Sequence, residues 1–137
     1  MSYTTELVSF AVRCGAEARA EEWMNLLVQR NDECVATMDR EHMHFESIFK
    51  FERAGRTYLS WYSVQGSAGA HVSSSPLEID RIHTEFWREC IDPDVPPERF
   101  VHVVNFLPVE VLRVVDERQA RLSQHATANC SPIAKES

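Results

Sequence analysis

The chain has 137 residues, of which 44% are hydrophobic and 26% charged, with a formal net charge of −7. That is the size and make-up of one globular domain, with a core that buries roughly two-thirds of the unfolded surface. The acidic balance argues against nucleic acid as a partner, because binding its phosphates needs a basic face and none is present.

The opening MSYTTELVSF has no basic region followed by a long apolar run, so neither a signal peptide nor a transmembrane segment is expected. Cys14, Cys34, Cys90 and Cys130 are widely spaced, and Cys34 and Cys90 fall on apolar helical stripes. Free thiols in a reducing cytoplasm, in a soluble bacterial-type protein, are the expectation.

Residues 6–13, ELVSFAVR, alternate with period two and are largely apolar on both faces, which predicts a central strand. Gly15 ends it. A helical period then predicts one long helix over 16–41, with Trp23, Leu27, Cys34 and Met38 on one stripe and acids in the first turn. HFESIFKFE reads as a second strand, RAGR (53–56) as a hairpin turn, and TYLSWYSVQ as a third strand rich in aromatic and β-branched residues. GSAGAHVSSS (66–75) is a polar loop. In the helix SPLEIDRIHTEFWRECID, Ser75 is placed as N-cap, Pro76 at the first helical position and Glu78 in a capping box. PDVPPER is an extended connector. FVHVVNFLP predicts a fourth strand, apolar on both faces, and VEVLRVVDERQARL a third helix.

The order is β-α-β-β-α-β with an added C-terminal helix, the pattern of a ferredoxin-like α+β fold. Residues 1–122 are expected to form this single domain, and 123–137 a flexible tail. Both main helices cover one sheet face, so the other, still apolar, calls for a second copy and predicts a homodimer.

The segments EEWMNLL, ESIF, YLSWYSVQG, HTEFWRECID and NFLP resemble a bacterial family of dimeric α/β-barrel proteins of undefined function, from about Glu6 to Pro108. The resemblance implies the ferredoxin-like fold and the homodimer, and no catalytic residue. AEEW, SIF and the strand ending in FLP are more distantly similar to the sugar mutarotases of the same superfamily. Those enzymes carry a catalytic histidine on the first helix, where Leu27 stands here. Cofactor-free oxygenases and polyketide cyclases share the fold, which does not choose among them.

His83 falls within the helical stripe of Ile79, Ile82, Phe86 and Cys90, so it must find a hydrogen-bond partner or line a cavity. His44 and Glu46 share a strand face with Ile48 and Lys50, and Phe45, Ser47, Phe49 and Phe51 take the other. If the polar face turns toward the helices, Glu46 can meet His83 as an acid–base pair, and His83 should titrate above its ordinary value unless burial outweighs the carboxylate. If it turns to water, both are surface residues. His42 belongs to a helix-to-strand turn and is expected to be solvated. His42, His44 and Glu46 have the types of a metal triad but straddle an element boundary, so no metal is assigned. Trp61 and Tyr62 point to opposite faces of the third strand, one toward the cavity and the other toward the dimer face. Trp87 lies one turn beyond His83, and Asn31 and Arg30 lie near the stripe of the first helix. His102 is placed at the dimer interface, and His71 and His125 are given no role. No G-x-S-x-G, phosphate loop or dinucleotide fingerprint occurs.

The expected function is proton-transfer chemistry on a small molecule, of isomerase, cyclase or oxygenase type, with no organic cofactor. His83 would be general base or acid, Glu46 its partner, and Trp61 or Tyr62 with Trp87 and Asn31 the ligand wall. The alternatives are a metabolite-binding protein without turnover and a metal-dependent enzyme. Neither nucleic acid nor membrane is expected as a partner.

Overall fold

The computed structural model describes residues 3–69 and 75–136, with side chains described through residue 124. His71 and the side chain of His125 lie outside the described residues. The elements are β1 (Tyr3–Ala11), α1 (Glu17–Gln29), α2 (Asn31–Glu41), β2 (Met43–Arg53), β3 (Arg56–Gly66), α3 (Glu78–Cys90), β4 (Glu98–Arg99) and α4 (Val109–Glu136). The four strands form one antiparallel sheet in the order β2-β3-β1-β4, so the protein is α+β. Among the described residues no helix is long and apolar enough to cross a membrane.

Strand alternation divides the sheet into two faces. The inner face carries Val8 and Phe10 of β1, Ile48 of β2, and Leu59 and Trp61 of β3. Phe10, Ile48, Leu59 and Trp61 pack with Trp23 of α1 and Phe86 and Cys90 of α3, and Trp23 is 0% exposed. The outer face carries Leu7, Ser9, Phe49, Phe51, Ser60 and Tyr62, which with Phe100 line an apolar hollow of about 510 Å³. Among the described residues no element covers that hollow in the way that α1 and α3 cover the inner face.

The single helix expected over 16–41 is two helices that meet at Arg30, whose backbone leaves helical geometry at φ −104°, ψ 33°. Four local bonds hold the break. The Arg30 N–H donates to the Leu26 carbonyl, the Arg30 carbonyl accepts from Glu33, and the Arg30 guanidinium grips the Glu33 carboxylate at 2.6 and 2.8 Å. Asn31, Asp32 and Glu33 then suit a new helix start, where acids meet the dipole's positive end.

α3 begins two residues later than expected. Leu77, in extended geometry, takes the N-cap position, and Ser75 Oγ accepts the Leu77 N–H at 3.1 Å instead of capping the helix. Pro76 therefore precedes the helix and the capping box does not form.

The fourth strand differs most. Only Glu98 and Arg99 pair with β1, opposite Ser9 and Val8, and the Phe100 N–H adds one bond to the Leu7 carbonyl. Residues 101–108, expected in a strand, leave the ladder, with Val101 89%, Val103 87% and Phe106 89% exposed. A strand apolar on both faces needs cover on both, and the described residues supply none beyond Phe100. Asn105 Nδ2 still donates to Thr5 Oγ1 at 2.7 Å, which keeps the segment beside β1.

α4 also runs beyond Leu122, where the sequence reading ends it, to Glu136. Gln119 and Leu122 are buried, whereas Val111 and Val114 are exposed.

The β2–β3 hairpin turns through Ala54 and Gly55, both at positive φ (52° and 75°), a type I′ geometry. An alanine Cβ in the left-handed region costs roughly 1–2 kcal/mol, and asparagine tolerates it better. Ala54→Asn is expected to raise stability by roughly 0.5–1 kcal/mol, read as a shift of the urea midpoint with an unchanged slope.

Candidate active site

A cavity of about 1140 Å³ opens between the helices and the inner face of β2 and β3. Its walls bring together Glu46 and Ile48 of β2, Trp61 of β3, Asn31 and Cys34 of α2, and Asp80 and His83 of α3. Of the residues singled out from sequence, His83, Glu46, Trp61 and Asn31 therefore face one space.

His83 reaches it from the buried stripe of α3. Its Nδ1 accepts a hydrogen bond from Trp23 Nε1 at 3.1 Å. The ring sits 5.3 Å from Trp23, 6.4 Å from Trp61 and 6.4 Å from Trp87, between centroids, which are all three tryptophans of the chain. An indole N–H can be accepted only by a bare nitrogen, so the neutral ring carries its proton on Nε2. Burial pushes the His83 pKa down, against a smaller upward pull from Asp80. The upward shift foreseen for a Glu46 pairing is not found: the upward pull on His83 comes from Asp80 and not from Glu46, and burial outweighs it.

Glu46 stands opposite Ser63 in the register, on the same strand face as Ile48. It is solvent-accessible, and the space it borders is the cavity. Protein atoms crowd its other sides, and that burial raises its carboxyl pKa to about 7, with Glu41 and Asp80 adding like charge. Glu46 and His83 share a cavity but make no hydrogen bond with each other.

Asp80 was not anticipated. It lies one turn before His83, is 6% exposed, and its Oδ2 is buried without a hydrogen-bond partner. An acid in the first turn of a helix reads as an exposed dipole partner, and that ordinary reading hides it. The usable signal was its spacing, three residues before His83 and next to Ile79 of the apolar stripe.

The remaining candidates have other positions. Tyr62 is on the outer face, in T-shaped contact with Phe45 at 5.7 Å, because it alternates with Trp61. Trp87 packs edge-on to Phe10 at 4.6 Å and does not line the cavity. His102 lies in the exposed segment after β4. His42, expected in water, is buried: it ends α2 in left-handed geometry (φ 54°, ψ 37°), and its Nδ1 donates to the Ser67 carbonyl at 2.6 Å.

His44 binds α4 through both nitrogens. Arg118 Nε donates to Nδ1 at 3.2 Å, and Nε2 donates to Gln119 Oε1 at 3.1 Å. Burial lowers its pKa, and the neighbouring Arg118 and His42 charges act the same way. Gly66 permits this junction, since a Cβ there would collide with Gln119 Oε1. Among the described residues no group of three or more His, Cys, Asp or Glu side chains could hold a metal ion.

No curated protein and no solved structure matches the chain. Residues 3–107 match the model of a family of unknown function, DUF6176, and the chain belongs to that family.

Proposed function

We propose that this protein is a proton-transfer enzyme acting on a small molecule without an organic cofactor, of isomerase, cyclase or oxygenase type. The observation that supports it is a cavity-wall carboxyl, Glu46, whose pKa stands near 7. A base poised at working pH combines availability with driving force. Glu46 takes a proton from a carbon next to a carbonyl. The electron pair moves onto the carbonyl oxygen, which accepts a hydrogen bond from His83 Nε2–H. Glu46 then returns the proton to the same or a neighbouring carbon. His83 thus serves as a donor and not as the base, because Trp23 occupies its Nδ1 and burial disfavours its charge. Trp61 and Asn31 hold the substrate.

The test follows carbon acids in deuterated water by proton NMR, with simple ketones and β-keto esters as the panel. The wild type is expected to accelerate exchange, and Glu46→Gln to cut it by about 10²–10⁴-fold. Exchange that is equal in the two proteins would refute the reading. Binding without turnover is the second reading, favoured by how firmly Trp23 fixes His83 in one tautomer. It predicts ligand-induced changes in tryptophan emission with no exchange.

The proposed assembly is a ferredoxin-like homodimer, the two copies meeting at their outer sheet faces. The support is the uncovered apolar surface there, with Phe45 52% and Phe49 57% exposed, continuous with Phe100 and the segment after it. Such an interface should bury well over about 1,000 Å². Sedimentation is expected to show a dimer at micromolar concentration and a folded monomer for Phe49→Asp combined with Val103→Asp. A wild-type monomer would exclude the assembly.

A further inference from the structure

We propose that the cavity takes an organic cation, a protonated amine on an apolar body, with the ammonium between Asp80 and Glu46 and the body against Trp61 and Ile48. The inference rests on the cavity being the functional site, as above, but not on turnover there. Three observations carry it.

The first is the wall's charge. Glu17, Glu21, Glu41, Glu46, Glu52 and Asp80 line the cavity, and Lys50 is the one lysine or arginine among the lining residues. A concave surface of one sign concentrates ligands of the other. The second is Asp80. The residue lines the cavity yet is only 6% exposed, and its Oδ2 is buried with no donor among the described residues. Leaving a buried acceptor unmatched costs about 1–3 kcal/mol, more for a charged group, and an ammonium N–H brings both the missing donor and the opposite charge. The third is the aromatic wall. Trp61 borders the cavity with Ile48, and an indole face attracts cations while it packs against hydrocarbon. A bare metal ion fits less well, because hard cations need more ligands than two carboxylates offer.

Three probes of one size separate charge from shape: benzylammonium, benzyl alcohol and benzoate, titrated at pH 7.5 by calorimetry and tryptophan emission. Benzylammonium is expected to bind at least about 10-fold tighter than benzyl alcohol, a difference of about 1.4 kcal/mol, and benzoate not to saturate. Asp80→Asn should weaken benzylammonium by a similar factor and leave benzyl alcohol within about 3-fold. Equal affinity for the three probes, no saturation by benzylammonium, or an unchanged affinity in a folded Asp80→Asn would each overturn the assignment. If Asp80→Asn does not fold, Glu46→Gln replaces it and the same loss is required. Because binding is measured without turnover, failure of deuterium exchange leaves this result standing. Conversely, a charge-blind cavity with Glu46-dependent exchange sinks only the cation.

Discussion

Glu46→Gln is expected to stabilise the protein at pH 8, by about 1–2 kcal/mol, and to change it little at pH 4. The folded carboxyl has a pKa of about 7, against an ordinary 4.5. Between these values the folded chain holds a proton that the unfolded chain has lost, so stability falls as pH rises from about 4.5 through 7 and levels off above that. Below 4.5 both states are protonated and the effect vanishes. Glutamine keeps the shape and cannot ionise, which removes the slope. Glu46 is more than a third exposed, through the cavity, and the magnitude is discounted for that screening. Melting temperatures of the two proteins across pH 4–8 decide the matter. Superimposable curves would mean that Glu46 titrates normally, and the proposed base would lose its support. Parallel loss of deuterium exchange would mark a residue kept at a cost to stability.

Trp23→Ala is expected to cost about 3–5 kcal/mol and to leave little folded protein at 37 °C. Trp23 is 0% exposed, lies parallel to Phe86 at 6.2 Å and contacts Trp61 and Trp87. Truncation would open a cavity at the centre of this cluster and remove a donor. Trp23→Phe separates the two effects. It keeps most of the packing and deletes the Nε1–H, so His83 Nδ1 is freed and can be protonated without losing a bond. The His83 pKa should therefore rise, as read from imidazole carbon–proton shifts in NMR titration. An unmoved titration in a folded Trp23→Phe protein would show that burial alone sets the His83 state.

Local pattern carried much of this architecture. The alternation in β2 and β3 separated Ile48 from Phe49 and Trp61 from Tyr62, and the helical stripe of α3 aimed His83 at the sheet; that Trp61 and not Tyr62 shares the inner face with Ile48 comes from the strand register. What escaped depends on partners distant in sequence or on weak local geometry. His44 finds its partners 74 and 75 residues away in α4, and no periodicity signals that. The break at Arg30 involves no glycine or proline, only one arginine that bonds forward to Glu33. The segment after Arg99 has the composition of a strand, but pairing there needs cover that its own chain lacks. Asp80 was not singled out, because a first-turn acid ordinarily sits at the surface.

The departure of the chain from β1 after Phe100 has a consequence for folding in a crowded cell. Among the described residues the ladder on that side of β1 does not continue past Phe100, and the exposed valines that follow lie beside the strand without pairing to it. Such an edge is a template, and what docks on it decides the product. A symmetric pairing uses each edge once and closes, whereas head-to-tail docking leaves a fresh edge after every addition and grows into a filament. In the proposed homodimer, closed pairing would therefore compete with open-ended polymerisation. The competition is set by how quickly a matching copy arrives. Synthesis of neighbouring copies from one message would favour closure, and slow release of single chains would favour fibres.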